Sequence, residues 1–193
     1  MRLLRLALVV AVAAVFHPSV IHAQEWKYSK DANGLHAAEV SSNGKTPDQE
    51  ATTTLRLYCR KGFAGISYSV HGISRIKSFD FADFEGPNAP ASSELLVKVA
   101  VRLKKRTINL NLRAAGQLSM ETDTFEFILA HSDDPKSDFN RLIRAISGSG
   151  SSIAVTVQSQ KDRTKTIHTE FPLKAASMTI EKALKECDLK KLT

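Results

Sequence analysis

Beyond Trp26 the chain is dominated by apolar positions that recur every second residue, the pattern of strands with one buried and one wet face. Val97, Val99, Val101 and Leu103 alternate with Lys98, Ala100 and Arg102, and Ile108, Leu110 and Leu112 alternate with Asn109, Asn111 and Arg113. Leu55, Leu57 and Cys59 share one face of a strand over 54–60, which aims Cys59 inward. Further strands are expected over 66–70, 122–130, 153–158 and 165–173. Two short strands, 26–29 and 35–40, flank Asp31-Ala32-Asn33-Gly34, whose Asn-Gly is a hairpin turn signal. Residues 43–53 read as a polar loop and 61–65 as a connector. The stretch 73–84 alternates like a strand but is ambiguous, and Gly86-Pro87-Asn88-Ala89-Pro90 breaks the pattern.

Two segments carry the helical period instead. Asp134 is placed as an N-cap with Pro135 at the first helical position, and Phe139, Leu142, Ile143 and Ile146 then fall on one face. Gly148 closes that run, and Gly148-Ser149-Gly150 joins helix to strand; without a downstream lysine it is no phosphate loop. Over 177–189, Ile180, Ala183, Leu184 and Cys187 form a second stripe. The expected fold is mainly β: a single-domain antiparallel β-sandwich or partly open barrel over 24–193, with two packed helices.

The first 23 residues follow a different rule. Arg2 and Arg5 precede an unbroken apolar run of 11 residues from Leu6 to Phe16, followed by His17-Pro18-Ser19 and Val20-Ile21-His22-Ala23. A charged start, a short apolar stretch and a small residue at a cleavage point describe a secretory signal peptide, cut after Ala23. At 1.5 Å per residue the run reaches only about 16 Å, half the bilayer core, which disfavours a permanent span; no second apolar run exceeds about ten residues, so no transmembrane segment is expected after signal removal. The expected location is therefore periplasmic or secreted.

Export changes how composition is read. The whole chain carries 27 Lys+Arg against 20 Asp+Glu, a formal charge of +7. The densest basic cluster is Lys98, Arg102, Lys104, Lys105 and Arg106, a candidate patch for an anionic partner, which equally suits a solvated strand end guarding a sheet edge. Nucleic acid is an unexpected partner for an exported chain. The two cysteines, Cys59 and Cys187, have one possible intramolecular pairing, and an oxidising compartment favours a disulfide. A redox role would need a C-x-x-C partner or an activating base, and zinc would need ligand spacing that the sequence lacks.

The search for chemistry yields little. His36, His71, His131 and His168 follow the expected cleavage point, none in H-x-x-x-H, and there is no G-x-S-x-G elbow or Walker loop. His131 with Asp133 and Asp134 sits where a strand should meet a helix, the one place a small site could form. Asp80, Asp83 and Glu85 interleave with Phe79, Phe81 and Phe84, a segment able to meet a cation or a partner or simply to cover an amphipathic face. His36 and Glu39 are three apart on one strand and face opposite sides. No catalytic residue, cofactor or metal site is assigned.

Trp26-Lys27-Tyr28-Ser29, Leu55-Arg56-Leu57-Tyr58-Cys59, and Phe171-Pro172-Leu173 followed by a helix with Ala183-Leu184-Lys185-Glu186-Cys187 appear in an order that resembles small exported bacterial β-proteins. Among these are the invasion-associated locus B family and a type VI secretion accessory family. The resemblance implies a bacterial envelope setting and a non-enzymatic, periplasmic or surface-associated role. The expected function is thus an exported, non-catalytic binding or accessory protein whose partner is another envelope or secreted protein. The alternatives are a small periplasmic hydrolase built on His131 and Asp133, and an inhibitor or immunity-type protein that blocks a partner enzyme.

Overall fold

The computed structural model describes residues 25–60, 63–129, 134, 136–148 and 150–187. Ten strands run in chain order: β1 (Lys27–Lys30), β2 (His36–Lys45), β3 (Glu50–Arg60), β4 (Phe63–His71), β5 (Val97–Leu103), β6 (Thr107–Leu112), β7 (Ala114–Ser119), β8 (Thr124–Leu129), β9 (Gly150–Gln158) and β10 (Thr166–Pro172). Helix α1 (Asp138–Ile146) lies between β8 and β9, and α2 (Ser177–Leu184) follows β10. All strand pairs are antiparallel, in the order β6-β5-β9-β10-β2-β3-β4-β8-β7, with β1 beside β2. The fold is mainly β, a curled antiparallel sheet that forms a half-barrel with two helices.

The curl follows from the connection between the two edges. β6 and β7 end the strand order on opposite sides, yet only Arg113 separates them in sequence. The chain therefore passes directly from one edge of the sheet to the other, which forces the sheet to bend round on itself. Register places the apolar side chains inside: Val40 and Ala38 oppose Leu55 and Leu57, which oppose Tyr68 and Ile66, which in turn oppose Phe127 and Leu129. All eight are buried and belong to one continuous core cluster, joined by Phe139, Leu142, Ile143 and Ile146 of α1 and Ile180 and Leu184 of α2.

Both bare edges are covered, which protects them from pairing with other chains. At β6, the Asn111 N–H donates to the Asp138 carboxylate at the start of α1 (3.1 Å). At β7, Glu85 forms a parallel bridge to Gly116, and the Gly86 N–H donates to the Gly116 carbonyl (2.7 Å). Gly116 must be glycine, since a Cβ there would stand 2.1 Å from the Phe125 ring.

The edge-covering segment corrects one expectation. Residues 73–84 are not a strand but two 3-10 turns, Ile73–Arg75 and Ala82–Phe84, joined by bends. Their aromatic residues pack individually into the core: Phe81 lies 5.1 Å from Phe125 and Phe84 5.1 Å from Phe127, ring centre to ring centre. Carboxylates from two hairpin turns hold the segment down. Ser78 donates its N–H and hydroxyl to Asp48, and Ser74 does the same to Asp123. From a third turn, Lys161 pairs with Asp80 and lies 3.7 Å from Asp83.

Other boundaries also move. The stretch 43–53 is not a loop: β2 continues to Lys45 and β3 begins at Glu50, because Ala51 and Thr53 alternate inward while Thr52 and Thr54 face out. Gly65 lies inside β4 rather than in a connector, and β7 was not anticipated at all. Asp134 does not cap α1. Ser137 does, its hydroxyl accepting the Asn140 N–H (3.2 Å), while the Asp134 carboxylate accepts the Lys136 N–H and its carbonyl accepts from Ser137 and Asn140. Helix α2 stops at Leu184, and Cys187 follows in a turn whose N–H donates to the Leu184 carbonyl.

Cys59 and Cys187 are bonded to each other, with 5.7 Å between their Cα atoms and a sequence separation of 128. The bridge fastens the chain beyond α2 to the inner face of β3, at the side of the barrel where α2 packs on β1, β2 and β3. The anticipated leader, residues 1–23, lies outside the described residues. Among the described residues, no helix is long and apolar enough to cross a membrane.

Candidate functional site

A recess opens where the end of β3 and the start of β4 meet β7 and β8. Its volume is about 630 Å³, and its walls include Tyr58, Phe63, Gly65, Pro87, Ala115 and Ile128, with Arg60 at the rim. Tyr58 stands directly across from Gly65 in the β3–β4 register. Its ring lies over the glycine so closely that a Cβ at position 65 would sit 2.2 Å from the ring. The glycine thus gives Tyr58 a flat bed, and the ring covers backbone that a missing side chain would leave bare. Burial pushes the Tyr58 phenol above its usual range, helped by the Glu126 carboxylate and opposed by Arg56. It therefore stays a neutral hydroxyl at the edge of an apolar wall.

Two large apolar side chains on this rim face water: Phe63 is 64% exposed and Ile128 is 37% exposed. Ser92 also lines the recess, but its hydroxyl donates to the carbonyls of Ala89 and Pro87 and has no base beside it. The arrangement offers apolar area, one phenol and one guanidinium, a lining that suits contact with an apolar group.

The described histidines are occupied by hydroxyls, not carboxylates. His36 Nδ1 meets the Tyr28 hydroxyl at 2.8 Å, and His168 Nδ1 meets Thr156 Oγ1 at 2.7 Å. His71 bridges Thr54 (3.1 Å) and Thr124 (2.9 Å), and Thr54 continues to Ser41. This row crosses four neighbouring strands and ties their outer faces together. Of the cluster His131, Asp133 and Asp134, the first two lie outside the described residues, and Asp134 serves the turn before α1. Among the described residues no group of three or more His, Cys, Asp or Glu is arranged to hold a metal ion.

Inside the barrel a second polar group stands out because it is wholly buried. Tyr68 Oη meets Thr169 Oγ1 at 2.8 Å, and the Thr53 hydroxyl donates to Thr169 Oγ1 (3.2 Å) and to the Ser42 carbonyl (3.0 Å). It sits where β2 and β10 share a single paired register position, His168 with Lys45. Hydroxyls here take over from a sparse backbone ladder, and Gly44 leaves room for them: a Cβ there would lie 2.3 Å from Thr169 Oγ1. Burial pushes the Tyr68 phenol far above its usual range, against the hydrogen bonds from Thr169 and Thr53.

The basic cluster divides. Lys98 is exposed on β5, and Arg102 lies 3.6 Å from the Glu170 carboxylate on β10. Lys104, Lys105 and Arg106 occupy the β5–β6 turn, where Arg106 joins Arg141 and Arg144 of α1 around a groove of about 400 Å³. The two helix arginines are what sequence reasoning missed, and their spacing of three was the available signal, since it puts both on one helix face. The acidic run is spent internally: Asp80 and Asp83 take Lys161, and Asp80 also accepts the Ala82 N–H. Lys161 holds the Asp80 carboxyl below the usual carboxylate range.

No family model, curated protein or solved structure matches the chain.

Proposed function

We propose that this chain is an exported, non-catalytic binding or accessory protein of the bacterial envelope, and that the Tyr58, Phe63 and Ile128 rim docks another envelope or secreted protein. The observation that carries the reading is the recess of about 630 Å³ with Phe63 and Ile128 turned to water at its edge. Exposed aromatic and aliphatic side chains next to a concave wall are what a partner's anchor residue fills. Arg60 at the same rim selects an anchor with an acidic neighbour, and the charge of +5 left when Arg2 and Arg5 depart with the leader, 25 Lys+Arg against 20 Asp+Glu, pulls in the same direction. The leader-like start and a disulfide both suit an oxidising compartment. The described histidines, each held by a tyrosine or threonine hydroxyl, favour binding over hydrolysis.

The test places a photo-crosslinking residue at position 63 in the native host. A discrete covalent adduct with one protein in the envelope fraction, abolished by Ile128→Asp, is the expected result, together with an intact mass corresponding to residues 24–193. Full-length chain in the cytosol removes the export premise. An adduct pattern unchanged by Ile128→Asp removes the rim.

A further inference from the structure

We propose that the Cys59–Cys187 bridge is a thiol–disulfide exchange site, and that its reduction by a dithiol releases α2 and opens the barrel along the seam between β2 and β10. Among the described residues this seam is the sparsest ladder of the sheet. β10 pairs with β9 along its whole length but with β2 only through His168 and Lys45. Past that point side chains replace the backbone ladder. The Ser42 hydroxyl donates to the Glu170 carbonyl (3.0 Å), and the Trp26 indole N–H donates to the Pro172 carbonyl (2.6 Å). Pro172 has no N–H to give in return. Behind these lie the hydroxyls of Tyr68, Thr169 and Thr53, a polar interior that water solvates readily once the seam parts.

The C-terminal segment is a clasp across that seam. Leaving β10, the chain crosses to β1, β2 and β3, where α2 buries Ile180, Ala183 and Leu184 and Lys182 lies over the Tyr28 ring (4.0 Å). The bridge to Cys59 on β3 then locks it. The clasp is strained at its root: Ala175, in the connector from β10, has a φ of 62°, a left-handed conformation that is costly for a residue with a Cβ. It is also weakly made along its length, since α2 has eight residues and no side-chain N-cap bond. Once the covalent link is cut, both features favour release.

The surroundings of the bridge suit exchange. Cys187 lies in the turn beyond α2 and is 5% exposed, whereas Cys59 is fully enclosed. A thiolate of the dithiol therefore attacks Cys187 Sγ, the S–S bond breaks, and its electron pair leaves on Cys59 Sγ. His36 stands directly across from Cys59 in the β2–β3 register, so both side chains share the inner face, with Cβ atoms about 4.5–5.5 Å apart. With the Tyr28 hydroxyl donating to Nδ1 (2.8 Å), the ring carries its proton on Nε2, which has no other partner among the described residues and donates a hydrogen bond to the departing thiolate. That thiolate then takes a proton from water. The second thiol of the dithiol displaces Cys187, which is protonated in turn. Two electrons and two protons thus pass to the protein, and the reductant leaves as a cyclic disulfide. The exchange site shares no residue with the Tyr58 rim and stands apart from the function proposed there.

The disulfide-bonded protein is treated with dithiothreitol under native conditions while free thiols, quenching of its one tryptophan, Trp26, and amide exchange are followed together. Two thiols per chain should appear without denaturant, and acrylamide quenching of Trp26 should rise about twofold or more. Seam-facing amides of 41–45 and 166–172 should exchange about tenfold or more faster, together with those of Ser177–Leu184. The β3–β4 and β5–β9 ladders should keep their protection, and re-oxidation should restore the starting values. His36→Phe should slow reduction about tenfold, and His36→Gln, which keeps an N–H, should recover part of the rate. Loss of protection in every ladder at once overturns the seam, as do seam amides that reduction leaves unchanged. A bridge that yields only in denaturant overturns the exchange site, and reduction of His36→Phe at or above the wild-type rate removes His36 from it.

Discussion

Replacing Cys187 with alanine should cost this protein about 5 kcal/mol and release the C-terminal helix first. The bridge closes a loop of 128 residues, and the entropy that such a closure withholds from the unfolded chain amounts to about 5 kcal/mol at room temperature. A domain typically has only about 5–15 kcal/mol of net stability, so this single bond accounts for a large share of it. The effect is local as well as global. Helix α2 has eight residues, no side-chain N-cap bond, and only Ile180, Ala183 and Leu184 buried. Isolated helices shorter than about 12–15 residues are marginal in water, so α2 depends on docking against β1, β2 and β3 and on the staple just beyond its end. Urea denaturation should show a midpoint lowered by roughly 2 M or more, taking ordinary slopes for a chain of this size. Reduced wild type should match the variant, and Cys59→Ala with Cys187→Ala should lose no more than either alone. Amide exchange should quicken first over Ser177–Leu184. Two reactive thiols in the native protein, or a midpoint indifferent to both reductant and substitution, would refute the reasoning.

Three further outcomes follow from the same geometry. Tyr68→Phe removes the hydroxyl that meets Thr169 in the core and should cost about 1–2 kcal/mol by equilibrium unfolding, with Thr169→Val non-additive to it; strict additivity would mean the two hydroxyls act separately. Gly116→Ala should cost about 1–3 kcal/mol, because its methyl group meets both the Phe125 ring and, at 3.1 Å, the Phe84 carbonyl; a neutral result in thermal melts would show that the covering segment moves aside freely. The carboxyls of Asp48 and Asp123, each bonded to a serine hydroxyl and N–H, and of Asp80, paired with Lys161, are held below the usual 3.8. A depressed folded value means these contacts stabilise fully above that pH and lose their contribution as pH falls below it; segment 72–96 should therefore exchange faster there, and Asp48→Asn should blunt the effect.

How far the fold could be read from sequence depended on where each strand finds its volume. Strands β5 and β6 were legible because Val97, Val99, Val101, Leu110 and Leu112 fill their own share of the core, so the period of two is written in large side chains. β7 was not, since its inward positions are Ala114 and Gly116 and the space above them is filled by Phe84 and Phe125 from elsewhere in the chain. The end of β2 was hidden for a related reason. Ser42 and Gly44 point into a core whose local contents are hydroxyls, so a buried strand looked like a polar loop. Conversely, 73–84 alternated like a strand yet stayed ambiguous, and its Phe residues pack from 3-10 turns and bends anchored by Asp48, Asp123 and Lys161, contacts with partners 30 to 81 positions away.

The same principle governs the two candidate sites. Within one strand Cys59 could be assigned an inward direction, and within one terminal stripe Cys187 could be assigned a buried face, so their union was inferable from local patterns alone. The Tyr58 recess had no such local mark: β3, β4, β7 and β8 each give it two or three residues, and Gly65, which makes the bed for Tyr58, reads as a turn residue in isolation. The arginine groove was half visible, because Arg106 stood in a basic run whereas Arg141 and Arg144 looked like the wet face of a helix. What joins them is the chain's passage from β6 straight into β7 through Arg113, which leaves the β6 edge unpaired and obliges α1 to lie along it. Covering an edge and assembling three guanidiniums are therefore one structural act. A substitution that loosens the Asp138 contact with the Asn111 N–H, such as Asp138→Asn, should quicken amide exchange along β6.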